Sequence, residues 1–156
     1  MEGDDPLPMP STAEYLTFNN ETEQYTTVVQ FGNPIQNTTG PTFALDTATS
    51  IIMTTTVECG ANCTMNTYDM ANSSSAVNVT EEVEFSIPLG LSAMGREVQD
   101  TVCTLSSFVC FTDMKFFAIT NGTSSMANWT FENIFGLGPR SATRGPDYIE
   151  RLKESG

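Results

Sequence analysis

At 156 residues, with 39% hydrophobic and only 16% charged side chains, the chain is long enough for one domain with a real core and too short to expect two. Its formal charge is −13 and no Lys or Arg precedes Arg96, so its surface repels phosphate backbones and anionic membrane surfaces, which sets nucleic-acid binding aside. It has no His, which removes Ser-His-Asp and Cys-His hydrolases and every His-ligated metal site; acid–base chemistry is left to carboxylates, Tyr, Lys or Cys, and no cofactor or metal is called for.

Residues 1–13, rich in Pro and acid, read as an extended arm ahead of one domain over 14–156. The 23 Thr residues, β-branched and suited to pleated, half-buried surfaces, lean the rest towards strands. Tyr25 to Phe31 is a strand by composition, Gly32-Asn33-Pro34 turns it, and Thr42 to Leu45 returns as a second strand running into Asp46. Ile51-Ile52-Met53 and the threonines after it predict a third strand, and Glu58 to Ser75 a loop. Val77 to Phe85 alternates apolar and polar residues, the period of a half-buried strand. Pro88 to Leu91 predicts a turn, Arg96 to Leu105 a return strand, and Val109 to Ile119 another, centred on Phe116-Phe117. Ile134 to Gly138 is a short apolar run closed by glycines. Only the tail predicts a helix: Pro146 suits its first turn, Asp147 its positive end, Tyr148, Ile149 and Leu152 one face, and Gly156 its C-terminal stop. The fold class predicted is mostly β with one or two short helices.

The four Cys fall into two local pairs, Cys59 with Cys63 and Cys103 with Cys110. Disulfides within each pair are the leading reading; a four-Cys zinc site lacks the CxxC spacing, and reduced thiols of a cytosolic protein are the remaining alternative. Asn-x-Ser/Thr sequons stand at Asn20, Asn37, Asn62, Asn72, Asn78, Asn121 and Asn128, all glycosylation candidates. Together these point to a secreted or lumenal protein, whether extracellular, vacuolar or lysosomal. No apolar run reaches the length of a membrane span, and Met1-Glu2-Gly3-Asp4-Asp5 is unlike a signal peptide, so the start reads as that of a fragment. The acidic balance fits a solvated acidic surface or a protein that works at low pH.

Asp46-Thr47-Ala48-Thr49-Ser50 directly follows an apolar strand. Alone, an Asp there is a turn former. Its surroundings carry more. Tyr25-x6-Gly32-Asn33-Pro34-x-Gln36 resembles the first hairpin of pepsin-like aspartic proteases, and Phe43-Ala44-Leu45-Asp46-Thr47-Ala48-Thr49-Ser50 resembles the strand and turn that present that family's first catalytic aspartate. Cys59 and Cys63 lie where the family closes a small disulfide loop. Asp100-Thr101-Val102 resembles the strand returning from the active-site flap, Phe131 to Gly138 the segment crossing behind the aspartate, and Tyr148 to Gly156 the helix after it. The order is collinear over about residues 15–156.

The resemblance implies one lobe of the pepsin-like acid protease fold, the amino-terminal one. It implies peptide-bond hydrolysis by a water held between two aspartates that share one proton, with Asp46 as one member. Thr47 would hold the turn by bonding towards the opposite lobe, and the Thr49 hydroxyl would bond the carboxylate from behind. The second aspartate is not in this chain. The implied partners are a carboxy-terminal lobe, or a second copy placing two Asp46 turns face to face as in single-lobe retroviral relatives, and a peptide or protein substrate. Three positions depart from the family: Ala48 replaces a glycine, Met53 replaces a tryptophan and lacks its N–H, and Pro88 stands where the flap tyrosine is expected. These favour the alternative reading, a catalytically inactive, secreted aspartic-protease-like glycoprotein acting as a binding or structural module.

Overall fold

In a computed structural model, the structure describes residues 16–36, 42–63, 67–87, 91–105, 109–122, 133–139 and 148–155. The arm over 1–13, Pro88, Leu89 and Gly90, the sequons at Asn37 and Asn128, Phe131 and Glu132, and Pro146, Asp147 and Gly156 lie outside the described residues. The strands are β1 (Thr17–Asn19), β2 (Gln24–Phe31), β3 (Thr42–Asp46), β4 (Ile52–Thr55), β5 (Val77–Asn78), β6 (Val83–Ile87), β7 (Leu91–Thr104), β8 (Val109–Gly122) and β9 (Ile134–Gly136). One helix, α1, covers Tyr148–Ser155, and short 3-10 segments occupy Val57–Asn62 and Met70–Asn72 inside the predicted loop.

The chain is mostly β, and six strands close a barrel in the order β2-β3-β9-β4-β8-β7, with β7 returning to β2 through Val29↔Thr104 and Phe31↔Val102. The predicted hairpin is present: β2 and β3 pair antiparallel, Thr26 opposite Ala44. β9 lies between β3 and β4, strands consecutive in the chain, running parallel to the first and antiparallel to the second. That crossing carries residues 134–136 past the end of β3.

Alternation along β8 explains why the interior has two apolar clusters. Successive strand residues face opposite sides, so Phe116 enters one and Phe117 the other, and both are buried. Phe116 meets Phe31 at 4.8 Å and Tyr68 edge-on at 5.2 Å, in a cluster with Phe43, Val98 and Val102. Phe117 joins Met53, Ile119, Ile134 and the Cys59–Cys63 pair. In α1, Tyr148 packs edge-on to Phe135 and Phe111 and shares a 3.0 Å hydrogen bond with Thr104 Oγ1.

Three sequence expectations change. Ile149 is exposed rather than on the packing face, because Tyr148 and Leu152, four residues apart, already form that face. The strand expected over Val77–Phe85 is broken into β5 and β6, and its valines are exposed. β1, too short to leave a periodic signal, pairs with β2 through Phe18↔Tyr25, whose rings lie 5.1 Å apart.

Both expected disulfides are present, Cys59–Cys63 and Cys103–Cys110. The second joins directly opposite residues of β7 and β8. Cys59 and Cys63 are both buried, whereas Cys110 is exposed. Thiol exchange needs access to a sulfur. Titrating the folded protein with limiting reductant and alkylating should therefore label Cys103 and Cys110 first, with Cys59–Cys63 still closed; peptide mapping that found the reverse order would contradict this placement.

Candidate active site at Asp46

β3 ends at Asp46, whose Oδ1 accepts a 2.8 Å hydrogen bond from Ala48 N. This Asx-type closure is what a short carboxylate does at a strand end. It leaves Thr47 and Ala48 exposed and Asp46, Thr49 and Ser50 half-buried, before Ile51 and Ile52 return to the interior.

The turn rests on the segment that follows β9. Leu137 N donates to Asp46 O at 2.7 Å, Gly138 N to Thr49 O at 2.6 Å, and Gly136 N to Ile51 O at 3.1 Å. Two backbones pass so closely that side chains are excluded. A Cβ on Gly136 would lie 2.5 Å from both Ile51 N and Ile51 O, and one on Gly138 2.7 Å from Thr49 O. The glycines that punctuate Ile134–Gly138 are therefore required by this approach.

Asn133, just before β9, ties three strands together. It is fully buried; its carbonyl accepts from Ala44 N at 3.1 Å, and its Oδ1 accepts from Thr55 N and Thr54 Oγ1, both at 3.1 Å. Thr67 Oγ1 joins the group at 2.5 Å from Thr54 Oγ1. The first hairpin is held by residues 69 and 73. Gln36 Nε2 donates to Asp69 O at 2.7 Å and its Oε1 accepts from Asp69 N at 2.8 Å, while Asn33 N donates to Ser73 Oγ at 2.9 Å.

A second carboxylate, Asp100, is wholly buried in β7 and does not belong to the Asp46 turn. It accepts from Tyr68 OH at 2.7 Å, Ser75 Oγ at 2.5 Å and Thr101 N at 2.7 Å. Burial, and then the Asp100 hydrogen bond and charge, push the Tyr68 phenol far above its ordinary range.

Of the residues read from sequence, Asp46, Thr47 and Thr49 share one turn. Thr49 Oγ1 is buried and makes no hydrogen bond among the described residues, so a bond from it to the carboxylate is not formed in this structure. Met53 is fully buried. Among the sequons, Asn20, Asn72, Asn78 and Asn121 are exposed, and Asn62 closes a 3-10 segment. Two ion pairs lie among the described residues, Arg96–Glu58 and Arg151–Asp113, and neither involves Asp46. No group of three or more Cys, Asp or Glu suited to a metal gathers among the described residues, and no helix there is long and apolar enough to cross a membrane. A recess of about 780 Å³ lies between β1, β2 and the start of β3, bordered by Phe18, Val28, Thr42 and Leu105, and no residue of the Asp46 turn lines it. In sequence, Asp100 and Asn133 fall in two of the segments singled out above, but neither was assigned a role; apart from Thr101 N, their hydrogen-bond partners lie 25–89 residues away in the chain and leave no local signal.

Compared with protein-family models the chain matches none, and it matches no curated protein significantly.

Proposed function

We propose that this chain is the amino-terminal lobe of a pepsin-like aspartic endopeptidase, with Asp46 as its one contribution to a two-aspartate site. The observation that carries the reading is the seating of the Asp46 turn on Gly136, Leu137 and Gly138, through hydrogen bonds from Leu137 N to Asp46 O and from Gly138 N to Thr49 O. It supports the expectation that a glycine-bearing segment crosses behind the aspartate. A barrel in which β9 separates β3 from β4 provides the support for that crossing.

In this reading a second lobe brings an opposing carboxylate to the exposed side of the turn, where Thr47 and Ala48 stand. Two carboxylates in contact cannot both ionise cheaply, so they share one proton across a bound water. The ionised member takes a proton from that water as it attacks the scissile carbonyl. The protonated member hydrogen-bonds the carbonyl oxygen as charge develops there. Partners are thus a carboxy-terminal lobe or a second copy of the chain, with a peptide or protein as substrate. The two disulfides are compatible with an oxidising compartment, and we place the protein on the secretory route, outside the cell or in an acidic lumen.

A specific observation favours the second reading, a non-catalytic module that retains this architecture: the Thr49 hydroxyl makes no hydrogen bond among the described residues, and Ala48, whose N–H bonds the Asp46 carboxylate, carries a methyl group. Assaying acid-pH peptide hydrolysis by verified monomer and by chain mixed with a second Asp-bearing lobe separates the two. The protease reading expects turnover from the assembly alone; an assembled two-lobe complex without turnover leaves the module.

A further inference from the structure

Residues 77–83 pose a question that the Asp46 site does not answer. Their alternation predicts a half-buried strand, yet Val77, Val79 and Val83 are 54%, 39% and 46% exposed. β5 pairs with β7 through Val77↔Gln99 and Asn78↔Val98, and among the described residues its other edge meets no strand. Exposed valines on an open strand edge are a template for pairing with another chain. The −13 charge opposes such contact at neutral pH, but that protection fades as carboxylates protonate towards pH 4.

A neutral shield would work at any pH, and the sequence places the means for one in the middle of the strip. Asn78-Val79-Thr80 is a sequon; Asn78 is exposed, and its side chain has no hydrogen-bond partner among the described residues. Asn72 differs, because its Nδ2 donates to Asp69 Oδ2 at 2.6 Å. Asn121 is engaged in an interaction as well. Asn20 is exposed, but it stands on the β1–β2 turn, remote in sequence from the valines.

We propose that Asn78 is an N-glycan attachment site: in β5 its side chain leaves the face opposite Val77, and its sugar bars a second chain from the open edge that both residues share. The inference rests on the secretory-route reading and is independent of whether Asp46 hydrolyses anything. The donor is an oligosaccharide linked to a lipid pyrophosphate. Transfer forms a bond from Asn78 Nδ2 to the anomeric carbon, breaks that carbon's bond to the pyrophosphate oxygen, and releases one amide proton. Thr80, the third sequon residue, has a separate role in the folded chain: its Oγ1 accepts from Glu97 N at 2.9 Å.

The test uses the full chain secreted behind an added leader from a eukaryotic host. Glycosidase treatment in heavy-oxygen water converts each occupied Asn to labelled Asp, which peptide mapping reads. Label is expected at position 78. Because the leader imposes the route, an unmodified Asn78 counts against the site and not against the compartment. The shielding role is read by sedimentation at pH 4.5. Asn78→Gln, and the folded parent after enzymatic removal of sugar, should each show at least a twofold larger associated fraction than the glycosylated parent. Adding Val77→Thr and Val79→Thr to Asn78→Gln should restore the parent's behaviour, which association through the Asp46 face would not do. Deglycosylated parent and Asn78→Gln both as monomeric as the glycosylated parent would overturn the shielding role, and label at Asn72 with none at Asn78 would overturn the site.

Discussion

Asp46→Asn should abolish peptide hydrolysis by an assembly of this chain with a second Asp-bearing lobe, lowering kcat/KM by at least about a hundredfold, the lower end of what a positioned acid–base group contributes. The substitution is nearly isosteric. An amide oxygen can still accept from Ala48 N, so the turn should keep its closure and the fold its stability. What is lost is a group able to take the water's proton and share it with the opposite carboxylate. The check is kcat/KM at acid pH together with the melting temperature of parent and variant. An unchanged rate in a folded variant would remove Asp46 from the reaction; a lost rate with lost folding would be resolved by Asp46→Glu, which keeps the charge and displaces it.

The largest stability effect is expected at the other aspartate. Asp100→Ala should destabilise the chain by about 3 kcal/mol or more, because each buried donor left without an acceptor costs roughly 1–3 kcal/mol. Removing the carboxylate strands the Tyr68 hydroxyl and the Ser75 hydroxyl, and it deprives Thr101 N of its acceptor. Against a total of about 5–15 kcal/mol for a domain this is a large fraction. The effect also propagates, since Ser75 lies beside Ser73 and Ser74, which bond Asn33 in the first hairpin. Urea unfolding of parent, Asp100→Ala and Tyr68→Phe measures it; a loss below about 0.5 kcal/mol for Asp100→Ala, the size of an ordinary surface change, would show that the network is dispensable.

Tyr68 adds a pH signature to the same network. Its folded-state phenol is held above the unfolded value, so the folded chain retains a proton that the unfolded chain gives up. The associated stability is complete below the ordinary phenol pKa of about 10 and declines as pH rises beyond it. Tyr68→Phe should flatten that alkaline decline.

The first hairpin was legible from composition and its turn residues. Tyr25–Phe31 and Thr42–Leu45 alternate or cluster apolar side chains around a Gly-Asn-Pro turn, and they pair as expected. The two local Cys pairs could be matched because short loops close readily. Asp46 stood out by its place at a strand end, and the tail helix by Tyr148 and Leu152 at a spacing of four.

Partners distant in sequence were not legible in the same way. Whether Ile134–Gly136 would insert between β3 and β4 depends on a contact across some ninety residues, and the need for Gly136 and Gly138 arises only once Ile51 and Thr49 lie against them. Asn133 reads as a turn residue until Ala44, Thr54 and Thr55 surround it. Alternation in 77–85 specifies which side chains share a face, but not whether anything covers that face, and here three valines remain in solvent. Composition and local pattern therefore determined the β class, the cysteine pairs and the position of the aspartate, because propensity and short loops act between neighbours in the chain. Barrel closure, the seating of the Asp46 turn and the burial of Asp100 were decided by tertiary structure, because each depends on which distant backbone fills the space beside it.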